Sequence, residues 1–300
     1  TLIISDTGHH RIIYCKASRD TGGWPHIESM DIMGGGGIGQ QDGNYSTASF
    51  RRPQGMDKRG STLYLCDTEN YLLRSVDLDT KKVTTIAGNG QRSGKPTVQC
   101  PLGIPLRSPW DCLAYDTAVL LAMAGCHQLW VYDLIKQDVF PVVGSGYEDH
   151  VDGSFTESAL AQPSSLFQIG NSVLFADSET SSLRVADFDN RTVMTIMGQG
   201  LFDFGDVDGK LESARLQHPL GAVFHNKLVY VTDTFNNKIK KIDLENQTCS
   251  TFLGDENPEI LHEPGGLDIY DGFLFIPDTN NHRIQIAKID TKEIRTLELK

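Results

Sequence analysis

The chain has 300 residues and a formal net charge of −12, with 39% hydrophobic residues and six cysteines. No cluster of Lys and Arg occurs along it, which argues against a nucleic-acid partner because phosphate binding depends on basic patches. No apolar stretch approaches the ~20 residues of a membrane-spanning helix, and no signal-peptide pattern opens the chain, so we expect no membrane partner either.

The predicted elements are short strands that recur in a fixed order. TLYLCD, YLLRSVDL and KVTTIAG follow one another from Thr62, and KLVYVTD, KIKKIDL and CSTFLG follow one another from Lys227. Turn residues separate these runs, and no window carries a helical period over three turns. The sequence therefore predicts repeat units built from strands, with no long helix.

A recurring phrase that starts with Asp closes one strand of each unit. Its first residues are Asp6, Asp67, Met123, Asp177, Asp233 and Asp278, so that only the third copy lacks the Asp. The carboxylate can accept backbone N–H bonds in the turn that follows. Basic residues follow five or seven positions later, at Arg11, Arg74, Arg184, Lys238, Lys240 and Arg283. We expect each to pair with the Asp across the hairpin, and an exposed pair of this kind contributes at most about 1 kcal/mol.

A proline precedes the phrase in five of the units, at Pro53, Pro109, Pro163, Pro219 and Pro264. Proline suits the first residue of a strand, where no ladder donor is needed, and this adds a fourth strand to each unit. Three linkers carry Asp-Gly eleven residues before the proline, at Asp42-Gly43, Asp152-Gly153 and Asp208-Gly209.

Six four-stranded units without helices predict an all-β fold, a six-bladed β-propeller whose blades surround a central channel. The repeat fills residues 1–300, so we expect a single domain. The predicted blades span residues 1–40, 41–95, 96–150, 151–205, 206–255 and 256–300. The first unit already opens in its second strand, and we expect the missing strand upstream.

The phrases DTENYLLR, DTFNNKIK and DTNNHRI, each after a Pro-x-Gly segment, resemble NHL repeats. The segments SPWD, AMAGCHQLW, AQPSSL and ADSETSSLR, in this order, are similar to the family that joins a thioredoxin-like domain to an NHL propeller. The resemblance covers essentially the whole chain. It implies a non-catalytic interaction or scaffold module without a cofactor, a cytoplasmic protein, and an upstream thioredoxin-like domain as one protein partner.

The six cysteines have no CxxC pair and no metal-site spacing, so we expect buried free thiols of a reducing compartment. Glycosylation sequons at Asn44, Asn190 and Asn246 leave secretion or an organellar lumen open as alternatives. The expected oligomeric state is a monomer.

The third blade departs most from the repeat, through a polar and aromatic set comprising Trp110, Asp111, His127, Gln128 and Trp130. Aromatic anchors beside a few polar groups suit a peptide or ligand pocket. The alternative is a packing solution peculiar to this blade, with the tryptophans buried and His127 bonded to a linker.

A metal-dependent hydrolase or lyase is the rival function, because fold alone does not decide activity. His218 and His262 stand just before prolines in adjacent blades, and we expect them to approach each other near the channel mouth. A catalytic zinc needs three protein ligands, which Asp111 would have to complete. Asp206 and Asp208 offer hard carboxylates of the kind that calcium binds. We expect no bound metal.

The linkers are acidic, with carboxylates at Glu148, Asp149, Asp152, Asp203, Asp206, Asp255, Glu256 and Glu259. They predict either a solvated rim or a surface for a basic protein partner. In a third alternative the propeller is purely structural and only orients the thioredoxin-like domain.

Overall fold

The computed structural model describes residues 1–35, 37–93, 100–255, 257 and 259–299. The expected boundary between the second and third blades, at residues 95 and 96, and the linker residue Glu256 lie outside the described residues. The chain forms two compact units, Thr1–Val142 together with residues from Glu298, and Val143–Leu297.

The first unit contains three antiparallel sheets. Their strands are β1 (Leu2–Asp6), β2 (Arg11–Arg19) and β3 (Pro25–Met33); β4 (Gly43–Asn44), β5 (Met56–Arg59), β6 (Thr62–Asp67), β7 (Leu72–Asp77) and β8 (Lys82–Ala87); and β9 (Pro109–Ala114), β10 (Ala118–Met123), β11 (Gln128–Asp133) and β12 (Asp138–Val143). The spatial order in the second sheet is β4-β8-β7-β6-β5, so the short β4 covers its outer edge.

The second unit also contains three antiparallel sheets. Their strands are β13 (Gly153–Ser154), β14 (Pro163–Ile169), β15 (Ser172–Asp177), β16 (Ser182–Asp187) and β17 (Thr192–Met197); β18 (Gly209–Lys210), β19 (Gly221–His225), β20 (Leu228–Asp233), β21 (Lys238–Asp243) and β22 (Thr248–Leu253); and β23 (Asp268–Tyr270), β24 (Phe273–Asp278), β25 (Arg283–Lys288) and β26 (Ile294–Thr296). The short strands β13 and β18 again lie outside β17 and β22.

Six antiparallel blades, three in each unit, confirm the predicted all-β class and the six-bladed β-propeller fold. Two details differ from four strands per blade. Three blades gain a fifth strand from the preceding linker, and the described part of the first blade has three strands. The helical residues among those described are three-residue 3-10 turns, most of them directly after the first residue of a phrase.

The second strand of each complete blade is the most buried one. Strands β6, β10, β15 and β20 each have five consecutive buried residues. Such strands are covered on both faces by neighbouring sheets, which is why they read as continuous apolar runs rather than as alternating ones. In the first unit, for example, Ile12 and Met33 of one blade share a core with Leu63 and Leu65 of the next.

Close approach of neighbouring innermost segments explains the glycine in two of the Pro-x-Gly motifs, at Gly55 and Gly221. A Cβ on Gly221 would lie 2.8 Å from the Cα of Gly266 in the next blade. A Cβ on Gly55 would lie 2.5 Å from the Cα of Asp111, and the Gly55 N–H donates to the Trp110 carbonyl at 2.8 Å. Neither position has room for a side chain.

Five of the six free cysteines are buried, at Cys15, Cys66, Cys112, Cys126 and Cys249, whereas Cys100 is exposed. Within the described residues, no helix is long and apolar enough to cross a membrane.

Candidate functional site

The carboxylate of the Asp phrase ties three parts of its blade together. Asp67 Oδ1 accepts the backbone N–H of Arg51 at 2.8 Å, just before the innermost strand. Its Oδ2 accepts Asn70 Nδ2 from the turn and Arg74 Nη1 from the next strand, both at 2.8 Å. The turn closes on Tyr71, whose φ of 57° is left-handed. The repeated Asp is therefore a structural anchor of the blade.

The hydroxyl after the Asp joins the first, second, fourth and fifth blades to the blade that follows each of them. Thr68 donates to the Pro109 carbonyl at 2.7 Å, and Thr234 donates to the Pro264 carbonyl at 2.9 Å. The same bond runs from Thr7 to the Pro53 carbonyl at 2.7 Å. The predicted strand start at the proline holds for Pro109 and Pro163, whereas β5, β19 and β23 begin two to four residues after theirs. The carbonyl of the proline accepts the hydroxyl of the preceding blade's phrase, and this pairing explains why both motifs recur together.

The Arg of the phrase reaches the Asp-Gly linker as well. Arg74 Nη2 donates to Asp42 at 2.9 Å, while the Asp42 carboxylate also accepts the Thr85 N–H at 2.9 Å. Arg184 repeats this arrangement with Asp177 and Asp152, both at 2.9 Å.

These ion pairs differ from the exposed pairs that the sequence predicted. Arg74, Asp67, Arg184 and Asp177 are all 0% exposed. The Asp67 carboxylate and its Arg are buried together because the linker folds over the guanidinium. Burial raises the pKa of Asp67, although its hydrogen bonds to Arg51, Asn70 and Arg74 act in the opposite direction.

In the first and last phrases the basic residue lies five positions after the Asp, two positions earlier than Arg74 and Arg184 lie in theirs. Arg11 Nε donates to Asp6 at 2.7 Å, and Arg283 Nε donates to Asp278 at 2.6 Å. Both Arg side chains are 34% exposed, so these two pairs are closer to the surface pairs that were expected.

The fifth blade replaces the Arg with Lys240. Its ammonium donates to Asp206 at 2.5 Å and to Asp208 at 2.7 Å, and Lys238 contacts Asp206 at 2.7 Å. Asp206 and Asp208, the predicted calcium candidates, therefore accept hydrogen bonds from lysine ammonium groups. Although burial alone would raise it, the hydrogen bonds from both lysines lower the pKa of Asp206.

Asp233 consequently lacks the guanidinium that its counterparts bind. Its described hydrogen bonds come from the Gln217 N–H at 2.6 Å and from Asn236 Nδ2 at 2.8 Å. Burial raises the pKa of Asp233 to about 7, in spite of these bonds.

The third-blade set does not form one cluster. Trp130 packs partly buried against the core of the first unit, and its indole N–H donates to Gln128 at 3.1 Å. Asp111 lies on β9, where its carboxylate accepts the Cys112 N–H at 2.8 Å. Trp110, Asp111 and His127 are all partly buried. Trp130 therefore fits the packing alternative. Trp110 and Asp111 lie on the innermost strand, and His127 lies in the turn.

His127 occupies the left-handed position of its turn, with φ 56°. Its buried Nδ1 has no hydrogen-bond partner within the described part of the chain. The bond from His127 to a linker, which the packing alternative includes, is therefore not among the described contacts.

The two candidate zinc histidines occupy different positions of the repeat. His218 directly precedes Pro219, and its ring stacks on Phe235 with centroids 4.4 Å apart. His262 is one residue further from its proline, its backbone N–H donates to Asp278 at 2.6 Å, and its side chain is exposed. Across the described ranges, no group of three or more His, Cys, Asp or Glu side chains is arranged to hold a metal ion.

The exposed apolar side chains on the linker turns were missed at the sequence level. Linker turns are here the segments between blades together with the turns that directly follow the first residue of each phrase. Of the fourteen exposed large apolar residues in the described part of the chain, the linker turns carry eight: Ile38, Leu102, Tyr147, Val151, Phe202, Phe204, Val207 and Phe235. The available signal was FDFGDV itself, in which two phenylalanines interrupt an acidic linker.

Comparison with known proteins gives relatives of one kind over nearly the whole chain. No family model matches it. NHL repeat-containing protein 2 of Bos taurus is 35% identical over 337 residues, covering 98% of this chain and 45% of that protein. The Homo sapiens protein of the same name is 35% identical over 343 residues, covering 99% and 46%. The chain thus spans about half the length of these relatives.

A plant protein and two solved structures extend the comparison. Protein SUPPRESSOR OF QUENCHING 1, chloroplastic, of Arabidopsis thaliana is 37% identical over 305 residues, covering 90% of this chain and 28% of that protein. A nidogen/laminin complex structure matches with TM-score 0.68 and 11% identity, covering 99% and 92% of the two chains. A streptogramin B lyase structure matches with TM-score 0.57 and 11% identity, covering 86% and 72%. At such identities the two structures support the fold alone.

Proposed function

Because the chain belongs to the NHL-repeat β-propellers, we propose that it is a non-catalytic interaction module that binds a protein partner through its linker turns. Loops on a rigid scaffold are where binding residues concentrate. The strands and the Asp phrases supply the scaffold, and the linker turns supply the variable surface.

This proposal rests on one observation, that the charged residues of the repeat hold the blades together whereas the exposed apolar residues lie on the linker turns. The repeated carboxylates and guanidinium groups are engaged in bonds that hold the blades, as at Asp67, Arg74 and Asp42. Exposed apolar side chains, in contrast, concentrate on the linker turns, among them Tyr147 at 78% and Phe202 at 92%. Exposed apolar groups of this kind mark protein interaction sites when they are contiguous.

In the first unit we propose Trp110, Asp111 and His127 as part of the contact surface. Trp110 and His127 are partly buried aromatic groups near a linker, and the buried Nδ1 of His127 has no partner among the described residues. Gln128 and Trp130 would support the site from the blade.

We further propose a monomer that works beside a thioredoxin-like domain of the same protein, without nucleic acid or membrane as a partner. This chain covers only 45% and 46% of the two animal relatives, so the rest of those proteins is long enough to contain such a domain. The proposed location is the cytoplasm. The name of the plant relative supports an organelle as the alternative.

Site-specific photocrosslinking in the full-length protein tests the proposal. A photoreactive residue replaces Leu102 or Tyr147 on linker turns, and Ile135 or Tyr270 on the turns at the opposite ends of the strands. Tyr147 and Tyr270 are a matched pair, at 78% and 73% exposure. We expect one recurrent protein adduct, within the chain or to a partner, at the linker positions. Equal adducts at Ile135 and Tyr270, or none at the linker positions, would contradict the proposal.

A further inference from the structure

A compact aromatic surface lies on the linker turns of the second unit. The Phe235 ring is 50% exposed and stacks on His218, with an interplanar angle of 7°. Asn236 follows Phe235 in the sequence, and Gly205 follows Phe204. The Asn236 Nδ2 donates to the Gly205 carbonyl at 2.8 Å. This bond brings the two turns together. Phe202 lies on the same turn as Phe204 and is 92% exposed. We call Phe202, Phe204, His218 and Phe235 the aromatic patch.

Two carboxylates flank the aromatic patch. Glu179, from the turn of the preceding blade, lies 3.9 Å from His218 Nδ1. Glu263, at the start of the following blade, is held beside the patch by its backbone N–H, which donates to Asn237 at 2.8 Å. Within the described chain neither carboxylate has a Lys or Arg ion-pair partner, unlike Asp203, Asp206 and Asp208 of the adjacent linker.

The imidazole does not neutralise these carboxylates at neutral pH. Burial lowers the pKa of His218, against the opposite influence of Glu179 and Glu263. The patch therefore combines exposed aromatic faces with two uncompensated negative charges. Guanidinium and ammonium groups bind to aromatic faces and to carboxylates together, whereas an acidic partner would be repelled.

We propose that the aromatic patch binds a linear segment of a partner protein that carries Arg or Lys next to an apolar side chain. The apolar side chain packs on Phe204 and Phe202, and the cation lies over Phe235 between Glu179 and Glu263. This inference rests on the proposed function, because it names the chemistry of the partner for one part of the linker turns.

Peptide selection on the full chain tests this inference. Short random peptides displayed on phage are panned on the immobilised protein, and enriched sequences are synthesised and titrated by fluorescence anisotropy. We expect enriched peptides to combine Arg or Lys with an apolar residue. F204S/F235S should weaken their binding more than about tenfold, and E179Q/E263Q should weaken it severalfold, with the effect shrinking at high salt. Y270S and E245Q, exposed changes outside the patch, should leave binding unchanged.

The contrary outcomes are distinct. Enrichment of acidic or neutral peptides, or no enrichment, would overturn the inference. So would binding that F204S/F235S leaves intact, and a self-association that this variant abolishes would assign the patch to a second copy instead. In each case photocrosslinking at Leu102 and Tyr147 still decides the proposed function, because neither residue belongs to the patch.

Discussion

Replacement of Arg74 by Met should be among the most damaging single changes in the chain. The guanidinium is fully buried and makes four polar contacts, to Asp67 at 2.8 Å, the Ser49 carbonyl at 3.1 Å, and the Gln41 carbonyl and Asp42 at 2.9 Å each. Met fills a similar volume but leaves the Asp67 carboxylate buried without its counter-charge. Removing one partner of a buried ion pair costs about 3–5 kcal/mol.

Arg11 provides the matched control, because it pairs with Asp6 by the same chemistry at a partly exposed position. Its replacement by Met should cost about 0.2–1 kcal/mol, as for other surface pairs. Urea unfolding followed by fluorescence and circular dichroism measures both differences, provided that the two probes give coincident transitions. The D67N/R74M double variant should be more stable than the sum of the single effects predicts, because the uncompensated charge is removed.

Equal destabilisation by R74M and R11M would refute this reasoning. It would mean that water or a rearranged linker compensates Asp67, and that the Arg bridge contributes no more than a surface pair does.

Three further predictions follow from the repeat. T68V removes the hydrogen bond to the buried Pro109 carbonyl and should lower the free energy of unfolding in urea by about 1–3 kcal/mol. The Thr279 hydroxyl is exposed and makes only a 3.4 Å contact, so T279V should cost under about 0.5 kcal/mol. G221A should cost about 1–3 kcal/mol through overpacking, whereas the Cβ of G266A meets only a Pro277 atom at 3.9 Å and should be tolerated. Burial raises the pKa of Asp233 to about 7 from 3.8, so the folded chain binds more protons, and the free energy of unfolding should fall as pH rises from about 4 to about 7. D233N should remove that part of the slope in urea titrations across this range, and an unchanged slope would contradict the raised pKa.

The strand order and the fold class were predictable because the repeat itself carries the information. Each Asp phrase and each proline marks a fixed point of a blade, so six copies imply six sheets. The burial of Arg74 was not predictable from the phrase alone. It depends on Asp42, 32 residues earlier, whose approach is a property of the folded linker rather than of the local sequence.

The site was less predictable for a similar reason. Trp130 was grouped with Trp110 because both are aromatic residues in one unusual blade, but register puts Trp130 opposite Leu121, on the core side. His218 and His262 looked equivalent because both precede prolines, yet they are offset by one residue in the repeat. The aromatic patch depends on contact between the turns at Phe204 and Phe235, which lie in different blade segments of the sequence.

Native mass spectrometry of the purified full-length protein, with elemental analysis of the same sample, tests most directly whether the propeller is a binding module or a metal enzyme. Our account predicts a metal-free chain whose mass changes only when a protein partner is bound. Stoichiometric zinc or calcium that is lost on replacement of His218, His262 or Asp111 would contradict it.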